Sequence, residues 1–370
     1  MAWTVTTDHL ERLAIGAGIL GTGGGGNPYL GKITTKQYLK KGATVTVIDL
    51  DEVPDDAVVV TVGGMGAPTV GVERMRRGNE QVNALRALEA YTGKTITHLV
   101  SSEIGGGNST VPLIVAAQTG LPVIDADGMG RAFPELQMKT FIINGVTPTP
   151  GALCDHFGQT SVFDHITDGK TFERYMRAVT IQMGGSAGYC FPIMTGTQVR
   201  DFAVPGTLSL AIRLGDAILS ARASHTNPVQ AALGVTGGDL LFTGKITDVE
   251  RRLVGGFARG VLNLEGTGDD QDHRLVIDFQ NENLIARRED DTLLAMVPDL
   301  ICIVDIDTGE PLTTEVLRYG MRAAVLGIPA PIQMKSEQAL KYVGPAAFGY
   351  PDVPFTPLAG VYGTPNVVAE

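Results

Sequence analysis

Asp125 and Asp127, in the run Asp125-Ala126-Asp127-Gly128-Met129-Gly130-Arg131, are the first residues whose types and spacing suggest chemistry. Side chains alternate along a strand, so two carboxylates at i and i+2 face the same way and can share a proton, position water or hold a divalent cation. Arg131 would offset their charge, and an Asp–Arg pair that only fixes the loop is the competing reading. A second stretch, Ser101-Ser102-Glu103-Ile104-Gly105-Gly106-Gly107-Asn108-Ser109, sets an acid and an amide beside three glycines. Glu103 is then a base or ligand anchor within reach of bare backbone donors, unless it and Asn108 merely cap neighbouring amides. A third stretch, Gly21-Thr22-Gly23-Gly24-Gly25-Gly26-Asn27-Pro28-Tyr29, could turn its N–H groups into a nest for an anion. It lacks the Gly-Lys-Ser/Thr ending of a phosphate loop and follows a helix rather than a strand, so a tight turn is the alternative.

Further along, Phe279-Gln280-Asn281-Glu282-Asn283-Leu284 places four polar side chains in succession at a strand end, either as a ligand surface or as a hairpin turn that needs Asn. The histidines His9, His98, His156, His165, His225 and His273 form no ligand pair of the HExxH kind. Cys154, Cys190 and Cys302 lie far apart, which suggests neither a disulfide framework nor a thiolate cage. Cys190 reads as a buried free thiol.

These stretches need elements to hold them. Thr7 to Leu20 carries apolar residues at helical spacing and predicts an opening helix. Strands are expected at 44–49, 57–62, 97–100 and 122–125, with helices near 79–92 and around 113–117, and the strand at 57–62 runs into Gly63-Gly64-Met65-Gly66-Ala67-Pro68. Such alternation predicts a parallel sheet whose carboxyl-end loops bind ligands, and on that ground Gly24, Gly106 and Gly128 are expected at one edge. After about Gly169 the pattern becomes β-rich, with strands expected at 178–183, 275–279, 293–297 and 300–304 and helices at 208–222 and 247–255. The expectation is an α/β protein with an N-terminal α/β/α domain over 1–169. A β-rich, barrel-like α+β domain over 170–370 follows, ending in an irregular Pro/Gly-rich tail from Pro345 to Pro365.

Composition narrows the function classes. A net charge of −11 with no basic run speaks against nucleic acid or an acidic membrane surface as partner. The start of the chain has no signal-peptide pattern and no apolar run is long enough to span a bilayer, so a reducing cytoplasm is the expected location. Gly makes up 47 of 370 residues, clustered rather than periodic, which points to specific backbone loops.

Taken together and in order, the Gly21–Tyr29, Glu103–Ser109, Asp125–Glu135 and Phe279–Asn283 stretches, with Val297-Pro298-Asp299-Leu300-Ile301-Cys302, resemble the S-methyl thiohydantoin desulfurase family along nearly the whole chain. Asn27 departs from the Asp expected there. The resemblance implies an α/β domain followed by a β-rich one, and hydrolytic release of methanethiol from an S-methyl thiohydantoin to give a hydantoin. It also implies hydantoinase-type partners. A small-molecule hydrolase needs a base for water and donors for developing charge. Glu103, Asp125 and Asp127 are the base or water-positioning candidates. Arg131 and the amides of Gly23, Gly24, Gly25, Gly26, Gly105, Gly106 and Gly107 are donors, while Asn27, Asn108, Met129, Gln137 and Asn281 contact the ring. No cofactor is required by this reading, although a divalent metal on Asp125 and Asp127 would serve. The rival reading is a non-catalytic, metabolite-binding, regulatory or scaffolding partner of a hydantoinase-type enzyme, and the expected assembly is a homo-oligomer or a complex with such an enzyme.

Overall fold

The computed structural model describes residues 2–66, 70 and 77–364. Ala67, Pro68 and Pro365, named above, lie outside them. Two compact units emerge from the contacts: Met1–Leu10, Pro28–Met129 and Glu135–Leu208 form the first, and Glu11–Asn27, Gly130–Pro134 and Ser209–Glu370 the second.

The first unit is built on one mixed sheet. Its strands are β1 (Trp3–Thr4), β2 (Thr46–Ile48), β3 (Val58–Gly66), β4 (His98–Ser101), β5 (Val123–Asp127), β6 (Gly151–Cys154), β7 (Thr160–Phe163), β8 (Ser186–Thr195) and β9 (Val204–Pro205). They lie in the order β1-β2-β5-β4-β3-β8-β6-β7, with β9 beside β5. The centre β2-β5-β4-β3 is parallel, as the strand–helix alternation predicts, and the flanks are antiparallel.

Alternation along β3 explains why helices cover both faces. Val59 and Met65 meet Phe141, Val199, Phe172 and Met176 from helices after β5, whereas Val60 and Val62 are left for the helices Glu80–Thr92 and Val111–Thr119 that pack on the same strand. The expected strand at 178–183 is the end of a helix, Gly169–Gln182. Asp168 caps it by accepting from the Thr171 N–H at 2.7 Å, and Phe172, Met176 and Thr180 recur every four residues as its buried stripe. That packing overrides the strand preference of Val179, Thr180 and Ile181.

The second unit carries a seven-stranded antiparallel sheet, β10 (Asp239–Val254), β11 (Phe257–Gly266), β12 (Arg274–Gln280), β13 (Glu282–Arg288), β14 (Leu293–Met296), β15 (Leu300–Asp305) and β16 (Arg322–Ile328). The order is β14-β13-β12-β11-β10-β16-β15, curled into a half-barrel around Phe242, Leu262, Ile277, Ile303 and Val325. The helix expected at 247–255 is instead the outer half of β10. Gly255 and Gly256 have φ of 61° and 87° and turn it back into β11, a hairpin signal that outweighs the helical look of the charged run before it.

Asn281 shows the same logic on a smaller scale. Its φ of 58° closes the β12–β13 hairpin, its N–H donates to the Ala258 carbonyl at 2.7 Å, and its Oδ1 accepts from the Ala258 N–H at 2.9 Å. Asn281→Val should therefore destabilise the fold by about 2–4 kcal/mol through left-handed strain and the lost hydrogen bond, and Asn281→Gly by less. Thermal denaturation of the two variants checks the ranking; equal losses would contradict it.

Candidate active site

Three parallel strands of the first unit end side by side, and their loops are stitched together. Asp127, the last residue of β5, is fully buried, and its Oδ2 accepts from the N–H of Ile104 at 2.8 Å and of Met129 at 3.0 Å. The Gly128 N–H donates to the Ser102 carbonyl at 3.3 Å. The Ser101–Ser109 and Asp125–Arg131 stretches thus meet at the carboxyl ends of β4 and β5, where ligands of parallel sheets gather. Asp125 has a separate anchoring contact: its Oδ1 accepts from the Leu208 N–H at 2.9 Å. Both aspartates therefore have positioned backbone partners.

Glu103 is placed differently. Its carboxylate Oε1 accepts from the Asn108 amide Nδ2 at 2.6 Å, and Asn108 in turn accepts from the Gly64 N–H at 2.7 Å through Oδ1. The amide of Asn108 thus ties the end of β3 to the acid that follows β4. The Ser101 hydroxyl donates to the Glu103 carbonyl at 2.7 Å, fixing the backbone from below. Gly105, Gly106 and Gly107 lead into a single 3-10 turn, Gly106–Ser109, where the first N–H groups of a helical stretch have no partner within it. Asn108 and Gly107 are partly exposed while Glu103 is only 6 % exposed, so the acid sits just behind the rim.

Beneath Glu103 lies a polar cluster that no sequence motif announced. The Tyr189 hydroxyl on β8 donates to the Ser102 hydroxyl at 2.6 Å. Gly63 is required there: a Cβ on it would stand 2.3 Å from the Tyr189 oxygen. Lys139 is fully buried, its Nζ donating to the Thr61 hydroxyl at 2.9 Å and the Phe191 carbonyl at 3.4 Å, over the rings of Phe191 at 3.7 Å and Tyr189 at 4.7 Å. Burial pushes its ammonium down to about 7, against the opposing pull of Glu103, Cys190 and Glu173. Lys139 therefore gives up its proton far more readily than a free lysine. Burial pushes the Tyr189 hydroxyl far up, with Glu103 adding to it, and the Cys190 thiol likewise rises with burial despite Lys139. Tyr189 is then a donor, and Cys190 is a neutral thiol rather than a nucleophile.

Gln137 is buried in the first unit, its Nε2 donating to the Glu135 carboxylate and its Oε1 lacking a hydrogen bond among the described residues. Met129 is buried beside Asp127. Gly23, Gly24, Gly25, Gly26, Asn27, Arg131 and Asn281 belong to the second unit. There the Gly25 N–H donates to the Glu282 carboxylate at 3.0 Å, so a side chain of the protein occupies that donor, and the Gly23 carbonyl accepts from the Thr314 N–H at 2.7 Å. Asn27 is exposed. Within this unit the buried Arg131 guanidinium donates to the carbonyls of Pro298 at 2.9 Å and Asp299 at 2.7 Å and to the Thr22 hydroxyl at 2.8 Å, a clamp on three chain segments. Among the described residues no group of three or more His, Cys, Asp or Glu could hold a metal ion, and no helix is long and apolar enough to cross a membrane.

Loops gathered at the carboxyl ends of parallel strands are the arrangement of α/β proteins. Residues 8–165 match the N-terminal domain and residues 167–358 the C-terminal domain of the S-Me-THD-like family, and the chain belongs to that family. A crystal structure of a protein from Chromobacterium violaceum, solved by a structural genomics consortium, is similar over 96 % of this chain and 100 % of its own, with 26 % identity and a TM-score of 0.78. No curated protein matches.

Proposed function

We propose that the first unit is a hydrolase site for a five-membered cyclic amidine of the S-methyl thiohydantoin type, releasing methanethiol and leaving a hydantoin. The observation that supports it most is the pairing of an oriented carboxylate, Glu103 on Asn108, with a buried lysine whose proton is lost near neutral pH. Glu103 takes a proton from water, and the resulting hydroxide adds to the ring carbon that bears sulfur. The C=N electron pair moves onto nitrogen, which takes the proton from Glu103 and so restores the carboxylate. The tetrahedral adduct then collapses to C=O, the C–S bond breaks, and methanethiolate takes up the remaining proton. Donors from Gly105, Gly106 and Gly107 face the developing charge, while Lys139 and the Tyr189–Ser102 pair supply the electrostatic setting behind Glu103. Three free, buried cysteines suit work in a reducing cytoplasm.

The test is to incubate the purified chain with S-methyl thiohydantoins and with hydantoins, with and without chelator, reading thiol and ring opening separately. Thiol release from the former without ring opening of the latter is expected. Neither product from any substrate, with or without added divalent metal, would sink the reading in favour of a non-catalytic binding partner.

A further inference from the structure

The polar run at the β12–β13 hairpin leaves one side chain over. Asn281 holds the turn, Glu282 accepts from the Gly25 amide, and the Asn283 Nδ2 donates to the Ile301 carbonyl at 2.8 Å. Gln280 is only 4 % exposed, yet its carboxamide makes no hydrogen bond among the described residues. It lines a groove, and its unpaired carboxamide is open there to a ligand that both donates and accepts.

Gln280 lines a groove of about 390 Å³ that lies wholly within the second unit. Strand register shows what stands beside it. Arg252, Arg259 and Gln280 are successive cross-strand partners on β10, β11 and β12, and Glu250, Val261 and Asp278 form the neighbouring row. Arginines placed directly opposite one another repel. Arg252 has only a 3.9 Å approach to Glu250, and the Arg259 guanidinium makes no hydrogen bond or ion pair among the described residues. Asp278, by contrast, is fully engaged by Arg287 at 2.5 Å and by the Tyr350 hydroxyl at 3.1 Å. Val261, in the row next to Gln280's on the same face, and Phe348 supply the apolar part of the lining.

The lining carries two arginines, Arg252 and Arg259, and two acids, Glu250 and Asp278; Asp278 is paired with Arg287 from outside the groove, which leaves Glu250 alone to offset the two arginines and suits a monoanion. The volume is in the range of small-ligand sites, which begins at about 300 Å³. We propose that this groove binds a small monocarboxylate bearing an adjacent amide or urea group, the N-acyl or N-carbamoyl amino-acid class. Its carboxylate lies on Arg252 and Arg259, its amide on Gln280, and its apolar remainder against Val261 and Phe348. The site is separate from the hydrolytic reading above, since none of its residues belongs to the first unit.

Calorimetric titration of the full chain with N-carbamoylglycine tests it, with acetate, acetamide and inorganic phosphate as comparators. Saturable binding is expected for N-carbamoylglycine and weaker binding for acetate and acetamide, each of which engages half the site. R259Q and Q280M should each weaken binding about tenfold or more, whereas R318Q, at an exposed position outside the groove, should leave it unchanged. Melting curves of the variants establish that they fold. Failure of the wild-type chain to saturate at millimolar N-carbamoylglycine, affinity unaltered in both R259Q and Q280M, or tighter binding of phosphate would each overturn the assignment.

Discussion

Exchange of Glu103 for Gln should lower thiol release by roughly 100- to 10,000-fold while the melting temperature barely moves. The amide keeps the acceptor that Asn108 uses at 2.6 Å but removes basicity, and a positioned general base is worth about that factor. Asp127→Asn is the informative contrast. Its Oδ2 accepts from two backbone N–H groups in a fully buried setting, and a hydrogen bond to a charged group is worth about 1.5–3 kcal/mol. That variant should therefore melt lower, losing activity in step with its folded fraction. Turnover beside thermal denaturation for both variants decides the matter: an active Glu103→Gln, or one that unfolds as it loses activity, would remove Glu103 from the chemistry.

Replacing Lys139 by Met should do the opposite to stability. The lysine titrates at about 7 in the folded chain against 10.5 for the free side chain, so the folded state binds fewer protons than the unfolded one between those values and stability rises with pH across that window. The charge mismatch costs the wild type about 4 kcal/mol near pH 7 and about 2 kcal/mol less near pH 9, offset in part by hydrogen bonds to Thr61 and Phe191. Lys139→Met should be the more stable protein near neutrality, with its advantage shrinking towards pH 9. It should also lose thiol release by about 100-fold or more and flatten the pH profile near 7. Denaturant unfolding at both pH values checks the first part and kcat/KM against pH the second. A variant that is less stable at neutral pH, with activity unchanged, would show Lys139 to be a packing residue.

What the sequence made legible was the part set by local chain chemistry. The opening helix Thr7–Leu20, the central parallel strands and the strand–glycine–helix order around Glu103 and Asp127 all follow from periodicity and from glycine breaks. The outer half of β10 was not, because charged residues at 250–252 imitate a helix face until the Gly255-Gly256 turn is given weight. Lys139 was invisible for a different reason. A single lysine carries no signal by itself, and only the fold lays it across Phe191 and Tyr189 and under Thr61. Ser102 and Tyr189 are similarly 87 positions apart, with the small Gly63 as the one sequence trace of their contact.

The central claim is that water is added at the sulfur-bearing carbon through Glu103, and the most direct measurement is turnover of an S-methyl thiohydantoin in heavy-oxygen water, followed by mass spectrometry of the ring product. The account predicts a hydantoin carrying a single heavy oxygen, formed in step with methanethiol by the wild-type chain and suppressed in Glu103→Gln. A product without heavy oxygen, or thiol released at the same rate by Glu103→Gln as by the wild type, would contradict it.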